Sequence, residues 1–539
     1  MTIYLDETEV STEASESDFE KFTTSERVQQ AAEILARDPA GPRLGRVVVV
    51  GNLESNLNGD EQAPSPSTPE EQIFVQGDIC NTSVLRQFIR ETGEKPPSSN
   101  KTGIEDLLML DWETPDIGKV LSGVGGTYSF VMLKPGLQDQ PGTLVVARAP
   151  LGIHNLYLAR SEGGKDTPGK LIIGPDLKSV LGAETANVAQ IAEFPAGHLY
   201  VGGKGISSFV SEISLEGAES PDFHARTAHR EIFSGLVRAV RANLESGSGT
   251  RGVGLYLSGG LSSSLLGALV LRFARGLSTF TVGIADSPDL RYARYASQAL
   301  DTNHHEQTFT LDEILEALPE IVWQAETFDR RHIRDGVVSY FSGRLASEHV
   351  SAALTGEGAA TLFGDARTAR FQSGLTHKGR KTATGSPHSD GRSGFEWQVA
   401  LTDRLRTALA CTVRIGRLHG IKIRTPYLSD SELVSYIAHT VESLEGTPMR
   451  GKKLLRDIAR DFLPEPLIQR PHRSLSAGAG VGKVLQKYAA DTISDSAFEA
   501  EREISPNILL QSKEDLLYFR LFRERFPVTQ VLPLILGDL

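Results

Sequence analysis

Residues 255–264 read LYLSGGLSSS, a short apolar strand that runs into a glycine turn and then a helix. Val253, Leu255 and Leu257 supply the strand, Ser258-Gly259-Gly260 the turn, and a helix is expected to start near Ser263. This geometry points free backbone N–H groups and a helix N-terminus at one spot, which suits an anion. Glycine lets the backbone approach a phosphate closely, and the hydroxyls of Ser258, Ser263 and Ser264 can cap the helix or donate to phosphate oxygens. The loop holds no carboxylate. Magnesium takes hard, mostly anionic oxygen ligands, so a serine hydroxyl is a poor replacement for one. Any glycine turn between a strand and a helix offers similar geometry, and SGG alone does not fix a ligand.

The rest of the chain bounds what that loop belongs to. With 539 residues, two or three domains are expected. Hydrophobic residues make up 40% and charged residues 23%, which places the chain among ordinary globular proteins. A formal charge of -12 argues against a nucleic-acid partner, because a phosphate backbone needs a basic surface. Small anionic ligands stay open, since they answer to a local pocket. No apolar run reaches the roughly 18 residues of a membrane span. The first 20 residues carry seven acidic side chains, the reverse of a signal peptide, so no membrane partner and a cytoplasmic location are expected. Cys80 and Cys411 can form at most one bridge and have no metal-ligand spacing; they read as buried apolar fillers.

Patterning divides the chain in two. From about 44 to 210, β-branched runs such as RVVVVGNL, QIFVQGDIC, TYSFVML and TLVVARAPLG alternate with turns, predicting a largely antiparallel β domain. Ile232, Leu236, Val240 and Leu244 then recur at helical spacing over 225–245. Beyond them, strands such as LSTFTVGI and VSAALTGEG alternate with helices, the mark of a parallel α/β sheet over 225–539. Three stretches read as loose: the acidic start within 1–43, the polar segment 54–71, and the basic segment 376–394. His304, His305 and Glu306 invite a zinc reading, but neighbours on an extended segment face opposite ways, and packing is the favoured role.

Many segments together resemble the asparagine synthetase family, including its β-lactam synthetase relatives. They include TFTVGIADSPDLRYAR at 279–294, AETFDRRHIRD at 325–335, LTGEGAATLFGD at 354–365, RTPYLS at 424–429, KKLLR at 452–456 and LPEPLIQRPHR at 463–473. VQGDICN at 75–81, LSGVGGTYSF at 121–130 and ARAPLGIHNLYL at 147–158 extend the match to about 45–530. The resemblance implies an α+β, Ntn-hydrolase-like β-sandwich followed by an α/β domain of the ATP pyrophosphatase type. It implies a nucleotide-pocket equivalent at Leu257, Ser258, Gly259, Gly260, Ser262, Ser263, Val282, Gly356 and Ala360. It also points to Glu357, His472 and Lys452 as catalytic candidates and to Arg334, Arg424 and Arg473 as substrate contacts.

The departures matter as much as the match. The family's glutaminase uses an N-terminal cysteine, and position 2 here is Thr2; its NGE becomes Gln76-Gly77-Asp78 and an aspartate becomes Gly103. Glutamine hydrolysis is therefore expected to be absent. SGGLDSS has become SGGLSSS with Ser262 for the first aspartate, and SGEGADELFGG leaves Ala360 at the second. The lysine of RxK is His472, and PFLD becomes Pro426-Tyr427-Leu428-Ser429 with Asp430 one residue on. Loss of each such stabiliser costs about 3–4 kcal/mol in a transition state. No cofactor and no metal are expected, and the reading favoured is an enzyme of specialised metabolism acting on a small molecule without adenylation. Two alternatives stay open: an ATP- and magnesium-dependent amide or lactam synthetase with ligands displaced to Asp365 or Glu357, and a non-catalytic binding protein. Family members often form dimers, but the sequence leaves the oligomeric state open.

Overall fold

The computed structural model describes residues 24–35, 47–49, 54–55, 72–80, 83–91, most of 106–134, 142–162, 169–183, 188–210, 221–245, 252–363, 375–377, 409–443, 452–506 and 508–536. Thr2, Gly103, Asp365 and most of the three stretches read as loose lie outside them. The exceptions are the helix Thr24–Leu35, whose Ala31, Ile34 and Leu35 are buried in a core of the first unit and which corrects the reading of 1–43 as loose, and two strand pieces: Glu54–Ser55 pairs with Val75 and Phe74, and Leu375–His377 pairs with Leu510 to Ile508. The chain divides into two compact units, Met1–Ser211 with Pro527–Asp538, and Glu212–Phe526 with Leu539.

In the first unit the β-branched runs form two sheets. One has four strands in the order β1 (Val47–Val49), β7 (Leu171–Gly174), β6 (Tyr157–Ser161), β8 (Val188–Glu193). The other has six: β10 (Gly205–Ser208), β9 (His198–Val201), β5 (Thr143–Arg148), β4 (Gly125–Lys134), β3 (Gln72–Cys80), β2 (Glu54–Ser55). Pairing is antiparallel except between β1 and β7. Period-two alternation sends β4 side chains to two cores. Val131 and Leu133 join Leu158, Leu171 and Ile173 between the sheets. Tyr128, Phe130 and Met132 join Leu85, Ile89, Val120 and Leu121 from the helices Ser83–Glu91 and Ile117–Ser122 on the far side. The predicted antiparallel domain is present, with one parallel pair.

The second unit holds a five-stranded, all-parallel sheet in the order β13 (Asn303–Thr308), β12 (Ser278–Gly283), β11 (Val253–Tyr256), β14 (Ala352–Leu354), β16 (Lys422–Arg424). Helices alternate with these strands, as the sequence predicted. The order runs outward from β11 in both directions, so the connections reverse between β11 and β14. Open α/β sheets carry their ligand crevice outside the strand C-termini at such a reversal. The linker helix spans Pro221–Glu245 and buries Ile232, Leu236 and Val240, while Leu244 is half-buried. His304 and His305 are packed: His304 Nδ1 meets Thr279 Oγ1 at 2.9 Å, and His305 stacks on His349 with ring centroids 3.8 Å apart. No group of three metal-capable side chains occurs among the described residues. Cys411 is buried, and burial pushes its thiol up to about 12, as an inert filler requires.

Candidate active site

The loop Ser258–Ser263 leaves β11 at the reversal point and opens the helix Leu261–Val270. Gly259 has φ +70°, and a Cβ there would lie 2.3 Å from the Tyr292 backbone, so both conformation and space demand glycine. Gly260 caps the helix with no side-chain hydrogen bond, leaving the first-turn amides free of side-chain capping. The loop hydroxyls engage each other: Ser258 Oγ lies 3.1 Å from Ser263 Oγ, and Ser263 Oγ donates to the Gly260 carbonyl at 3.2 Å. Ser262 is half-exposed, and its carbonyl accepts from Tyr427 Oη at 3.0 Å. Gly356, at the end of β14, packs so closely that a Cβ would sit 2.9 Å from the Ser263 amide nitrogen. Leu257 and Val282 are buried beneath as an apolar floor. Ala360 sits half-buried in the short helix Ala359–Leu362 that follows Glu357.

Arg470 fastens the loop. Its guanidinium donates to the Ser258 carbonyl at 2.5 Å and to Asp289, and it lies 4.2 Å over the Tyr292 ring. Beside it stand two further candidates. Burial, then Arg456, lowers Lys452 to about 8. Burial, then Lys452 and Arg470, lowers the His472 imidazole to about 4, although the residue as a whole is exposed. His472 is thus neutral at pH 7. Arg473 is exposed and acts electrostatically on Asp289.

Across the crevice Glu357 faces a different environment. Its carboxylate accepts from Thr355 Oγ1 at 3.3 Å and from Thr412 Oγ1 at 3.3 and 3.2 Å. Burial, then repulsion from Asp335, raises it to about 7 in spite of those bonds. Asp335 is raised as well, burial first, and accepts from the Ser476 amide at 2.9 Å. Two half-buried carboxyls thus share one region with no ion pair among the described residues, and their mutual repulsion favours a proton on one of them. A carboxyl with its midpoint near neutrality can both give and take a proton.

The other two arginine candidates have protein partners. Arg334 donates to Glu514 through Nε at 2.7 Å and also through Nη2, and Tyr518 Oη donates to the same carboxylate at 2.6 Å. Arg424 is 2% exposed and donates to the Asn243 carbonyl at 2.6 Å, tying the linker helix to β16. Asp335, Thr412 and Arg470 were not singled out from the sequence. Asp335 and Arg470 lie within quoted motifs, and their charge was the available signal; Thr412 gave none.

A glycine loop between the central strand and its helix, at the reversal point of a parallel sheet, places the second unit among the open α/β folds. The chain belongs to the asparagine synthase family, whose model, described as "Asparagine synthase", matches residues 231–390 and 365–517. The chain is 26% identical over 476 residues to asparagine synthetase B [glutamine-hydrolyzing] of Escherichia coli, covering 85% of this chain and 79% of that protein. It is 27% identical over 498 residues to a probable glutamine-hydrolyzing asparagine synthetase of Schizosaccharomyces pombe, with 84% and 81% covered. The mouse asparagine synthetase is 24% identical over 493 residues, with 84% and 81% covered. No described helix is long and apolar enough to cross a membrane.

Proposed function

We propose that this family member acts on a small molecule in the crevice above β11 and β14, without magnesium–nucleotide chemistry, and with Glu357 as its proton-transfer group. The observation that carries the reading is the donor set. Around the loop stand hydroxyls bonded to one another, cations, the Asp289 carboxylate already engaged by Arg470, and the Glu357 carboxyl, raised to about 7 beside Asp335. A magnesium ion requires several anionic oxygens, and these residues do not fit it. No step is therefore routed through a metal or a nucleotide.

Within this reading the first unit is an Ntn-hydrolase-like domain kept as a scaffold, and the second has the ATP pyrophosphatase type of fold. The helix N-terminus and Lys452 favour an anionic group on the ligand. Glu357 is placed for acid–base work near neutral pH, and His472, neutral there, can accept a proton. The family's ATP-dependent ligase activity is the competing reading. Calorimetric titration of the full chain with ATP, with and without magnesium, separates them. No saturable heat is expected; submillimolar binding that requires the metal would overturn the proposal.

A further inference from the structure

The crevice lies beyond the C-terminal ends of the strands, and the second unit also holds a cavity at their other ends. Val253 and Ser278, the first residues of β11 and β12, line it, as does Val350, two residues before β14. Its volume is about 620 Å³, within the roughly 300–1,000 Å³ of small-molecule sites. The four residues of β11 span about 13 Å, which keeps this cavity apart from the crevice.

Two rings stand in its wall. Phe273, three residues past the helix Leu261–Val270, is 44% exposed. His349 has one face on His305, and the rest of its ring borders the cavity. Gly252 and Gly276, at φ +78° and +73°, have no atom within 4 Å of where a Cβ would stand, so these two turns leave the space open. At the rim Arg241 Nε donates to Glu245 Oε1 at 2.7 Å, with the two side chains 66% and 64% exposed. The terminal amines of Arg241 and the second oxygen of Glu245 have no partner among the described residues. Both signs of charge are thus offered side by side next to two rings. A lone anion on Arg241 would stand against Glu245, and a lone cation on Glu245 against Arg241. A zwitterion with both charges on one carbon meets each with its opposite, and a ring on the same molecule covers Phe273 and His349.

We propose that this cavity is a second ligand site, which takes a free α-amino acid with an aromatic side chain. Its carboxylate goes to the terminal amines of Arg241, its ammonium to the second oxygen of Glu245, and its ring against Phe273 and His349. The site stands independently of the reaction in the crevice.

Calorimetric titration of the full chain with L-phenylalanine, 3-phenylpropionate and phenethylamine tests it, because the last two keep the ring but carry one charge each. L-Phenylalanine is expected to bind saturably, and each single-charge analogue about fivefold more weakly, the worth of one exposed ion pair. Phe273→Ala should weaken L-phenylalanine about tenfold, through lost ring contact. Arg241→Ala should weaken L-phenylalanine and 3-phenylpropionate while sparing phenethylamine. Both side chains are largely exposed, so the variants should melt close to the wild type and their binding can be read on folded protein. Three outcomes would overturn the site: no saturation up to the solubility limit of L-phenylalanine, equal affinity for either analogue, or unchanged affinity for L-phenylalanine in either variant. The last would place the amino acid elsewhere on the chain, the crevice included.

Discussion

Glu357 is pulled two ways: burial and Asp335 raise its carboxyl to about 7, and the hydroxyls of Thr412 and Thr355 recover only part of that shift. The consequence for stability has a definite sign. Below the unfolded carboxyl midpoint of about 4.3 both states hold the proton, and the group is neutral in its effect. Between there and the folded midpoint near 7, the unfolded chain releases its proton first, so the folded state loses stability as the pH rises. Glu357→Gln removes this dependence. Urea unfolding at pH 4, 5.5 and 7.5 should show the variant drawing level with the wild type at the lowest pH. It should then be more stable at the highest, by at most about 3 kcal/mol. A difference that stays constant across the three would mean that the Glu357 midpoint is the same in the folded and unfolded chain. The sequence singled out Glu357 within LTGEGAATLFGD but could not give its state. That state depends on Asp335 and Thr412, which lie 22 and 55 residues away along the chain and meet it only in the fold.

At the scale of elements, the strand–turn–helix at 255–264 was legible because each of its requirements is local. Apolar alternation makes the strand, and a glycine with positive φ makes the turn. The clamp on that turn was not legible, since Arg470 arrives from 212 residues further along the chain. Arg470 and Asp289 have side chains 4% and 8% exposed, so this ion pair is buried. Breaking a buried pair from one side strands the other charge and costs about 3 kcal/mol or more. Asp289 is already raised by its burial and would answer by taking up a proton, which holds the cost to the low end. Arg470→Ala is therefore expected to lose about 3 kcal/mol in chemical denaturation. Arg470→Lys should recover part of it, because an ammonium keeps the charge but cannot span both partners as the planar fork does. A loss below about 1 kcal/mol for the alanine variant, the scale of an exposed pair, would show that the loop is held by its own hydroxyls instead. The assignment of His304 and His305 to packing was legible for an equally local reason. Successive residues of a strand face opposite sides, and the two imidazoles do go to different partners, Thr279 and His349.

For the whole molecule, composition and periodicity separated an antiparallel from a parallel region, while function had to be argued from what the first unit retains. Its turn after β5 is held by Arg148, 1% exposed, which donates to the carbonyls of Gly152, His154 and Phe194 and to the Glu193 carboxylate. At Gly77, with φ +86°, a Cβ would fall 1.8 Å from the Thr127 carbonyl oxygen, so β3 and β4 demand glycine for packing alone. These are requirements of folding, and they hold whether or not the unit carries a nucleophile. A glutaminase further needs an activated group at the start of the chain, where this sequence has Thr2 in place of the family's cysteine. A threonine hydroxyl is a weak nucleophile unless a free α-amine and a shaped pocket activate it together. Incubation of the full chain with L-glutamine should therefore release no ammonia beyond the rate of a Thr2→Ala control. Intact-mass spectrometry should show no glutamyl adduct. An adduct on Thr2 that forms and turns over would reverse the argument, because the first unit would then be an enzyme in its own right rather than a retained framework.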